Sequence, residues 1–178
     1  ANPQLVTEQV LQALLPLLSD EDSFVRDSAA FALGQVGEAN PQLVTEQVLQ
    51  ALLPLLEDEE SGVRGNAASG VGQVAEADPQ LVTEQVLQAL LPLLSDEERD
   101  VRGNAASAVG QVAEADPQLV TEQVLQALLP LLSDEDRDVR GNAVSALGQV
   151  LEGNSQLVTK QVLQALLPLL SDPESGVR

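Results

Sequence analysis

The sequence lacks cysteine, histidine, methionine, tryptophan and tyrosine. Without cysteine the chain has neither a disulfide framework nor a thiol nucleophile, and its compartment stays undetermined, with the cytoplasm favoured. Without histidine there is no imidazole base to activate a serine, and the carboxylates fall in repeating polar turns and not in a dry pocket. We therefore expect a protein that is not an enzyme.

Aromatic and basic residues are also scarce. Phe24 and Phe31 are the only aromatic residues among 178, so leucine, valine and alanine must form the core. Eight Lys and Arg stand against 28 Asp and Glu, which gives a formal charge of −20. Because this charge repels phosphate backbones and anionic membranes, nucleic acid and membranes are poor candidate partners. No apolar run approaches the length of a transmembrane helix.

One segment recurs along the whole chain with a period of 38 residues. PQLVTEQVLQALLPLL occurs identically at 3–18, 41–56, 79–94 and 117–132, and returns at 155–170 with changes at Ser155 and Lys160. A fixed period of this length indicates units that pack mainly on their neighbours. We predict four full units and an incomplete fifth, at 1–38, 39–76, 77–114, 115–152 and 153–178.

The first half of each unit is predicted to be a helix with a broad apolar face. It opens at an Asn or Asp N-cap, and in four of the five units a proline follows at the first helical position. The apolar residues cover an arc of roughly 200°, so the helix must be buried on more than one side. At Pro16 we favour one kinked helix over two separate helices, because the apolar phase runs through the proline. The predicted N-caps are Asn2, Asn40, Asp78, Asp116 and Asn154.

The second half of each unit is predicted to be another helix, which follows an acidic turn and ends near Gly37 or its equivalent. A second stripe on this helix consists of small residues such as Gly72 and Gly110. Glycine costs about 1 kcal/mol in a helix relative to alanine, so we expect close contact between successive second helices to compensate. In the first unit the predicted core residues are Val25, Ala29, Ala32, Leu33 and Val36.

The stretch LLPLLSDEDSFVRDSAAFALGQVG resembles a HEAT-type repeat, and its second half is similar to the short HEAT-like repeats of the phycobilin lyase group. The resemblance recurs in every unit and implies an all-α fold, a right-handed α-solenoid of about nine helices. It also implies a structural ladder between the aspartate of each turn and the arginine of each second helix. The matching residues are Asp20, Asp58, Asp96, Asp134 and Asp172, beside Arg26, Arg64, Arg102, Arg140 and Arg178.

Metal and cofactor sites are not expected. HEAT-like deoxyhypusine hydroxylases bind metal through His-Glu pairs, and this chain has no histidine. The acidic turns, such as 57–60 and 134–136, lack the spacing and the glycine of an EF-hand, so we favour helix capping over calcium binding. We therefore expect no cofactor and no catalytic residue.

The outward face of the second helices carries most of the variation between units, and we call it the second-helix strip. In a solenoid such residues align on the concave surface, which is the usual binding face. Polar amides and hydroxyls there suit an extended peptide or a helix of a protein partner, although a merely solvated face is an alternative for any single residue. The strip comprises Phe24, Ser28, Phe31, Gln35, Gly62, Asn66, Ser69, Gln73, Asp100, Asn104, Ser107, Gln111, Asp138, Asn142, Ser145 and Gln149.

The leading hypothesis is thus a non-enzymatic scaffold for protein–protein interaction, and two others remain open. The near-identity of the repeated segments also fits an engineered or recently duplicated scaffold without an evolved ligand, and the family resemblance allows a lyase-like helper enzyme. Solenoids normally end in polar caps, and the first and last repeats of this sequence lack them, so we expect head-to-tail self-association. For Phe24 and Phe31 we favour packing against a preceding segment or a neighbouring molecule. The alternative is that they bind a partner.

Overall fold

A computed structural model of the chain describes residues 8–167. Asn2, Asp172 and Arg178, to which the sequence assigns a cap and the last step of the ladder, lie outside the described residues. Within that range the fold is an α-solenoid without strands, as predicted. Its α-helices are α1 Glu8–Leu14, α2 Ser23–Ala39, α3 Glu46–Leu52, α4 Ser61–Ala77, α5 Glu84–Leu90, α6 Arg99–Ala115, α7 Glu122–Leu128, α8 Arg137–Gly153 and α9 Lys160–Leu166. Among residues 8–167 we find no helix that could span a lipid bilayer.

The first helix of each unit changes type at its proline. In the second unit α3 ends at Leu52, and a 3₁₀ helix follows directly over Leu53–Glu57 with Pro54 near its start. Leu53 keeps right-handed helical angles, so the helical path is continuous. Proline lacks the N–H that an α-helix needs, and the tighter 3₁₀ pattern accommodates that loss. The expected single kinked α-helix is therefore wrong in helix type, although the chain stays helical.

The predicted N-caps do not start the first α-helices. Asn40 caps a separate 3₁₀ turn, Pro41–Leu43, where its side chain accepts a hydrogen bond from the backbone N–H of Gln42 at 3.3 Å. Two extended residues follow, and α3 begins at Glu46 after Thr45. The prediction missed that threonine is itself a favoured N-cap residue, immediately ahead of a glutamate.

The second helices are the long elements of the fold, with 17 residues each. Asp22 caps α2 and Asp136 caps α8, since their carboxylates accept backbone N–H groups of the first turn. Helix α2 runs to Ala39, two residues beyond the predicted end at Gly37. These helices pack against one another in the order α2, α4, α6 and α8.

The core lies between the two layers of helices and runs along the solenoid. Val63 and Val101 are fully buried, whereas the equivalent Val25 in α2 is only half-buried, as is Ala32. The other three predicted core residues of α2, namely Ala29, Leu33 and Val36, are buried. The apolar arc of the first helices is buried in the middle units, because each helix there is covered from two sides.

Glycine allows successive second helices to approach closely, as the sequence predicted. A Cβ atom on Gly72 would lie 3.0 Å from the Cα of Ala108 and would overlap Oε1 of Gln111. On Gly110 it would lie 2.9 Å from the Cα of Ala146. Real Cβ atoms do not come this near to backbone, so a larger side chain at either position would push two helices apart.

Candidate functional site

The turns of the solenoid are linked by a ladder of arginine–aspartate pairs. Nε and Nη2 of Arg64 donate to the two carboxylate oxygens of Asp96, in the next unit, at 2.7 and 3.0 Å. Nη1 of Arg64 donates to the carbonyls of Asp58 and Glu59 in its own turn. Each guanidinium therefore joins two successive turns. The same two-pronged pairing links Arg26 to Asp58 and Arg102 to Asp134, so the ladder is confirmed across the described turns.

The ladder lowers the pKa of its aspartates. For Asp58 the main cause is the hydrogen bond from Arg26, which favours the charged carboxylate and outweighs partial burial. For Asp96 burial is the strongest influence and raises the pKa, but the hydrogen bonds from Arg64 and from the backbone N–H of Glu98 leave a net lowering. These carboxylates are therefore structural anchors that stay ionised well below neutral pH.

The contribution of the ladder to stability is expected to fall in acid. Asp58 has a folded pKa below the ordinary value of about 3.9, so its contribution is complete above about pH 5 and is lost as the pH falls through the folded pKa. The free energy of unfolding of the wild type should therefore exceed that of Asp58→Asn by more at about pH 7 than at about pH 3.

Urea titrations of both proteins at the two pH values measure this difference. The change in overall charge repulsion with pH is common to both proteins and cancels in the comparison. Glu97→Gln, at an exposed turn position, controls for the single lost charge. A difference that is the same at both pH values would contradict the assignment.

The asparagines of the second-helix strip form another ladder, between the N-terminal halves of the second helices. Nδ2 of Asn104 donates to the backbone carbonyl of Gly65 at 3.1 Å, and Nδ2 of Asn142 donates to Gly103 in the same way. In the second unit Nδ2 of Asn66 donates instead to Oδ1 of Asp27, at 2.8 Å. All three asparagines are half-buried, so their amide groups are held in fixed orientations.

The glutamines of the strip lie nearer the C-terminal ends of the second helices. Nε2 of Gln111 donates to Glu76 at 2.7 Å, and Nε2 of Gln149 donates to Glu114 at 2.8 Å. Both bonds join one second helix to the preceding one. Gln73 is half-buried at the equivalent position, while Gln35 is exposed. Part of the predicted binding surface therefore also holds the solenoid together.

A groove of about 460 Å³ opens between the N-terminal halves of the second helices. Strip positions Asn66, Asn104 and Asn142 line it, and so do Asp100 and Asp138. Five carboxylates but a single arginine, Arg99, face this space. The remaining lining residues are Asp27, Ser61, Gly62, Gly65, Glu98, Val101, Gly103, Asp136 and Val139.

The groove has an internal ion pair that partly compensates its negative charge. Nη1 of Arg99 donates to Asp136 at 2.7 Å, which bridges α6 and the turn before α8, and Nε of Arg99 lies 3.5 Å from Asp100. The side chain of Arg99 is nevertheless 64% exposed. Asp100 and Asp138 are more exposed still, at 86% and 81%, and Nε of Arg137 lies 3.3 Å from Asp138. Both carboxylates are accessible to a ligand, which competes at each with an exposed arginine.

The strip changes character at α2. Phe24 is 74% exposed and Phe31 is 58% exposed, as the sequence predicted for outward-facing positions. Phe24 occupies the register of Gly62, Asp100 and Asp138, all of which line the groove. The remaining strip residues, Ser28, Ser69, Ser107 and Ser145, are exposed or half-buried.

Sequence reasoning missed four acidic or basic groove residues, Asp27, Glu98, Arg99 and Asp136. Asp27 occupies the register of Gly65 and Gly103, so comparison of the units shows it as a departure from a small residue. The other three lie at the turn just before or at the start of a second helix. Only the close packing of α6 and α8 brings them to one groove.

The described residues contain no group of three or more carboxylates placed to hold a metal ion.

Near the end of the described chain, the apolar side chains of Val158, Leu163 and Leu167 are exposed at 48, 54 and 61%. Head-to-tail association stays a prediction.

Comparisons with known proteins identify the repeat. A family model described as HEAT repeats matches residues 3–71, 49–120 and 87–178. No curated protein matches the chain in sequence. An engineered protein of known structure is 26% identical with a TM-score of 0.80, covering 94% of this chain and 76% of the other. A designed armadillo repeat protein, solved in complex with the peptide (KR)4, is 22% identical with a TM-score of 0.81, covering 99% and 82%. The narrower similarity to phycobilin lyases stays a prediction.

Proposed function

The chain belongs to the HEAT-repeat family, and from this we propose that it is a non-enzymatic interaction scaffold that binds an extended basic peptide along the second-helix strip. Repeat solenoids of this kind typically serve as scaffolds for protein interaction. The observation that carries the proposal is the acidic groove along α2, α4, α6 and α8, because it is a preformed space lined by five carboxylates and one arginine.

Charge favours a cationic ligand. Lys and Arg side chains of a peptide would pair with the exposed carboxylates of Asp100 and Asp138, and the overall charge of −20 would speed their encounter. Such contacts at an exposed surface contribute modestly one by one and are weakened by salt. Affinity therefore depends on several of them acting along one peptide.

The asparagine ladder offers a way to hold the peptide backbone. Because Nδ2 of Asn104 and Asn142 donates to the preceding helix, the amide oxygen is the remaining acceptor of each side chain. Repeated at the period of the units, these oxygens would accept N–H groups from an extended chain. An extended peptide has such groups unpaired, whereas a helical ligand has most of its own already bonded.

The solved structure of a designed armadillo repeat protein with the peptide (KR)4 is consistent with this function. That protein shares the solenoid architecture with this chain over nearly its whole length. In this chain the carboxylates of the acidic groove would supply the negative charge that complements a peptide of Lys and Arg.

The test is binding of a fluorescein-labelled peptide of alternating Lys and Arg, followed by fluorescence anisotropy. We expect saturable binding that weakens steeply with salt, and no binding of a peptide of the same length made of Asp and Glu. Asp100→Lys with Asp138→Lys should weaken binding at least tenfold, since two attractive contacts become repulsive, each worth about 1 kcal/mol.

A matched control separates the groove from overall charge. Glu84→Lys with Glu122→Lys makes the same change of net charge on the exposed start of α5 and α7, away from the groove. This control variant should lose less than threefold in affinity. If both double variants weaken binding equally, attraction is general and the groove is not the binding site.

Other functions remain less well supported. An engineered scaffold without an evolved ligand would show no saturable binding of any peptide in the same assay. A lyase-like helper would bind a bilin or another small molecule, whereas the groove described above is open and lined by five carboxylates, which favours a basic peptide.

A further inference from the structure

The two phenylalanines stand at one end of the acidic groove. Asp27 of α2 lines the groove, while Phe24 lies three residues before it and Phe31 four residues after it. Residues at this spacing share one face of an α-helix. Both rings therefore face the same side as the groove, and both are mostly exposed.

The charge of the strip is graded from one end to the other. At the position of Phe24, α4 carries Gly62, while α6 and α8 carry Asp100 and Asp138. Asp27, the acidic groove residue on α2, already accepts a hydrogen bond from Asn66. At the register of Phe24, α2 thus carries an apolar ring, α4 is neutral, and α6 and α8 are acidic, while Asp27 adds one carboxylate on α2 between the two rings.

We propose that the strip binds a peptide whose residues follow a defined order, with apolar side chains against Phe24 and Phe31 and Lys or Arg side chains at Asp100 and Asp138. This inference rests on the proposed function and adds the order of residues in the ligand. Its basis is complementarity at both ends of one continuous surface. Aromatic side chains are enriched at protein interfaces, where they supply a large apolar contact area.

The packing of the helices sets the spacing of the ligand residues. Packed helices lie about 8–10 Å apart, so α2 and α6 are separated by about 16–20 Å. An extended peptide covers about 3.3 Å per residue, so its apolar and first basic residues should be about five or six residues apart. The two basic residues, over α6 and α8, should be two or three residues apart.

The test uses three labelled peptides of equal length and equal charge. The first has two leucines, a five-residue Gly/Ser spacer and two lysines separated by two residues. In the second, both leucines are replaced by serine. In the third, a single residue separates the leucines from the lysines, and the other four Gly/Ser residues are placed at the end of the peptide, so that its length is unchanged. Each is made in both chain directions, because the structure sets the order along the strip and not the direction of the backbone.

We expect the first peptide, in one direction, to bind at least tenfold more tightly than the other two. Phe24→Ser with Phe31→Ser should remove this advantage and leave the affinity for the serine peptide within twofold. Serine occurs at the position of Phe31 in three other units, so the double variant should fold normally, which circular dichroism checks.

The outcomes separate this inference from the proposed function. The proposed order of residues is wrong, while the scaffold function stands, if the leucine and serine peptides bind the wild type equally. It is also wrong if the leucine peptide keeps its higher affinity in the double variant, or if the peptide with the short spacer binds as tightly as the first. If no basic peptide binds at all, both fail. If light scattering shows that the wild type self-associates and the double variant does not, the rings bind a second copy, and the inference is overturned.

Discussion

Arg64→Ala is expected to lower the free energy of unfolding by about 3 kcal/mol. Arg64 makes four hydrogen bonds, two to the carboxylate of Asp96 and two to carbonyls of its own turn. Its side chain is 18% exposed and that of Asp96 is 9% exposed, so water replaces these partners poorly. The substitution leaves a largely buried carboxylate without its cation, which costs more than the pair itself contributes. Urea denaturation followed by circular dichroism measures the change.

Arg137→Ala is the matched control for this variant. The Arg137 side chain is 63% exposed and lies 3.3 Å from an exposed carboxylate of Asp138. Exposed pairs of this kind contribute little, so its effect should stay below about 1 kcal/mol. If the two variants lower the free energy of unfolding by the same amount, the ladder stabilises the protein no more than an exposed ion pair does.

Gly110→Ala is expected to destabilise the protein by about 1–3 kcal/mol, although alanine is the better helix former. The added methyl would lie 2.9 Å from the Cα and 3.1 Å from the Cβ of Ala146, and it would overlap Oε1 of Gln149. A side chain such as Gln149 can move aside, but the backbone of α8 cannot shift without loosening the whole interface with α6.

The same substitution should have the opposite sign one unit further along. Gly148 occupies the register of Gly110, and no described atom of a neighbouring element lies within 4 Å of a Cβ built there. Gly148→Ala therefore gains the helix preference of alanine without a clash and should stabilise the protein by about 0.5–1 kcal/mol. Thermal or urea unfolding of both variants decides the matter, and effects of the same sign would show that close helix contact does not explain the recurring glycines.

The difference between expected and observed helix boundaries has a local cause. The apolar phase through Pro16 and its equivalents predicted continuous helix, and the path is continuous, but the missing N–H favours 3₁₀ geometry. Thr45, Thr83, Thr121 and Thr159 occupy the N-cap position of the first α-helices, and the side chains of Thr83 and Thr159 accept a backbone N–H there, whereas those of Thr45 and Thr121 do not. Both signals are present in the sequence, and the chain uses each of them: Asn40 begins the 3₁₀ turn and Thr45 precedes the α-helix.

The strip shows a second kind of limit. Asn104, Asn142, Gln111 and Gln149 are predicted to face a partner, which stays a prediction, and the structure adds that each amide nitrogen donates to the preceding second helix. Periodicity places a side chain on a face of its helix, but whether it reaches a neighbour depends on the distance between helices. The glycines set that distance, and only the packed structure reveals it.

The sequence by itself determined the architecture of this protein, because a 38-residue period with a two-helix pattern leaves stacking as the way to bury its leucines. It also determined the absence of imidazole and thiol chemistry and the singular position of Phe24 and Phe31, whereas the arginine–aspartate ladder was implied by the family resemblance and confirmed by the structure. Tertiary structure alone decided where the acidic groove lies, since Asp27, Arg99 and Asp136 are distant in sequence and meet only when successive second helices pack. Local patterns act within a helix, whereas a groove arises from the spacing between helices.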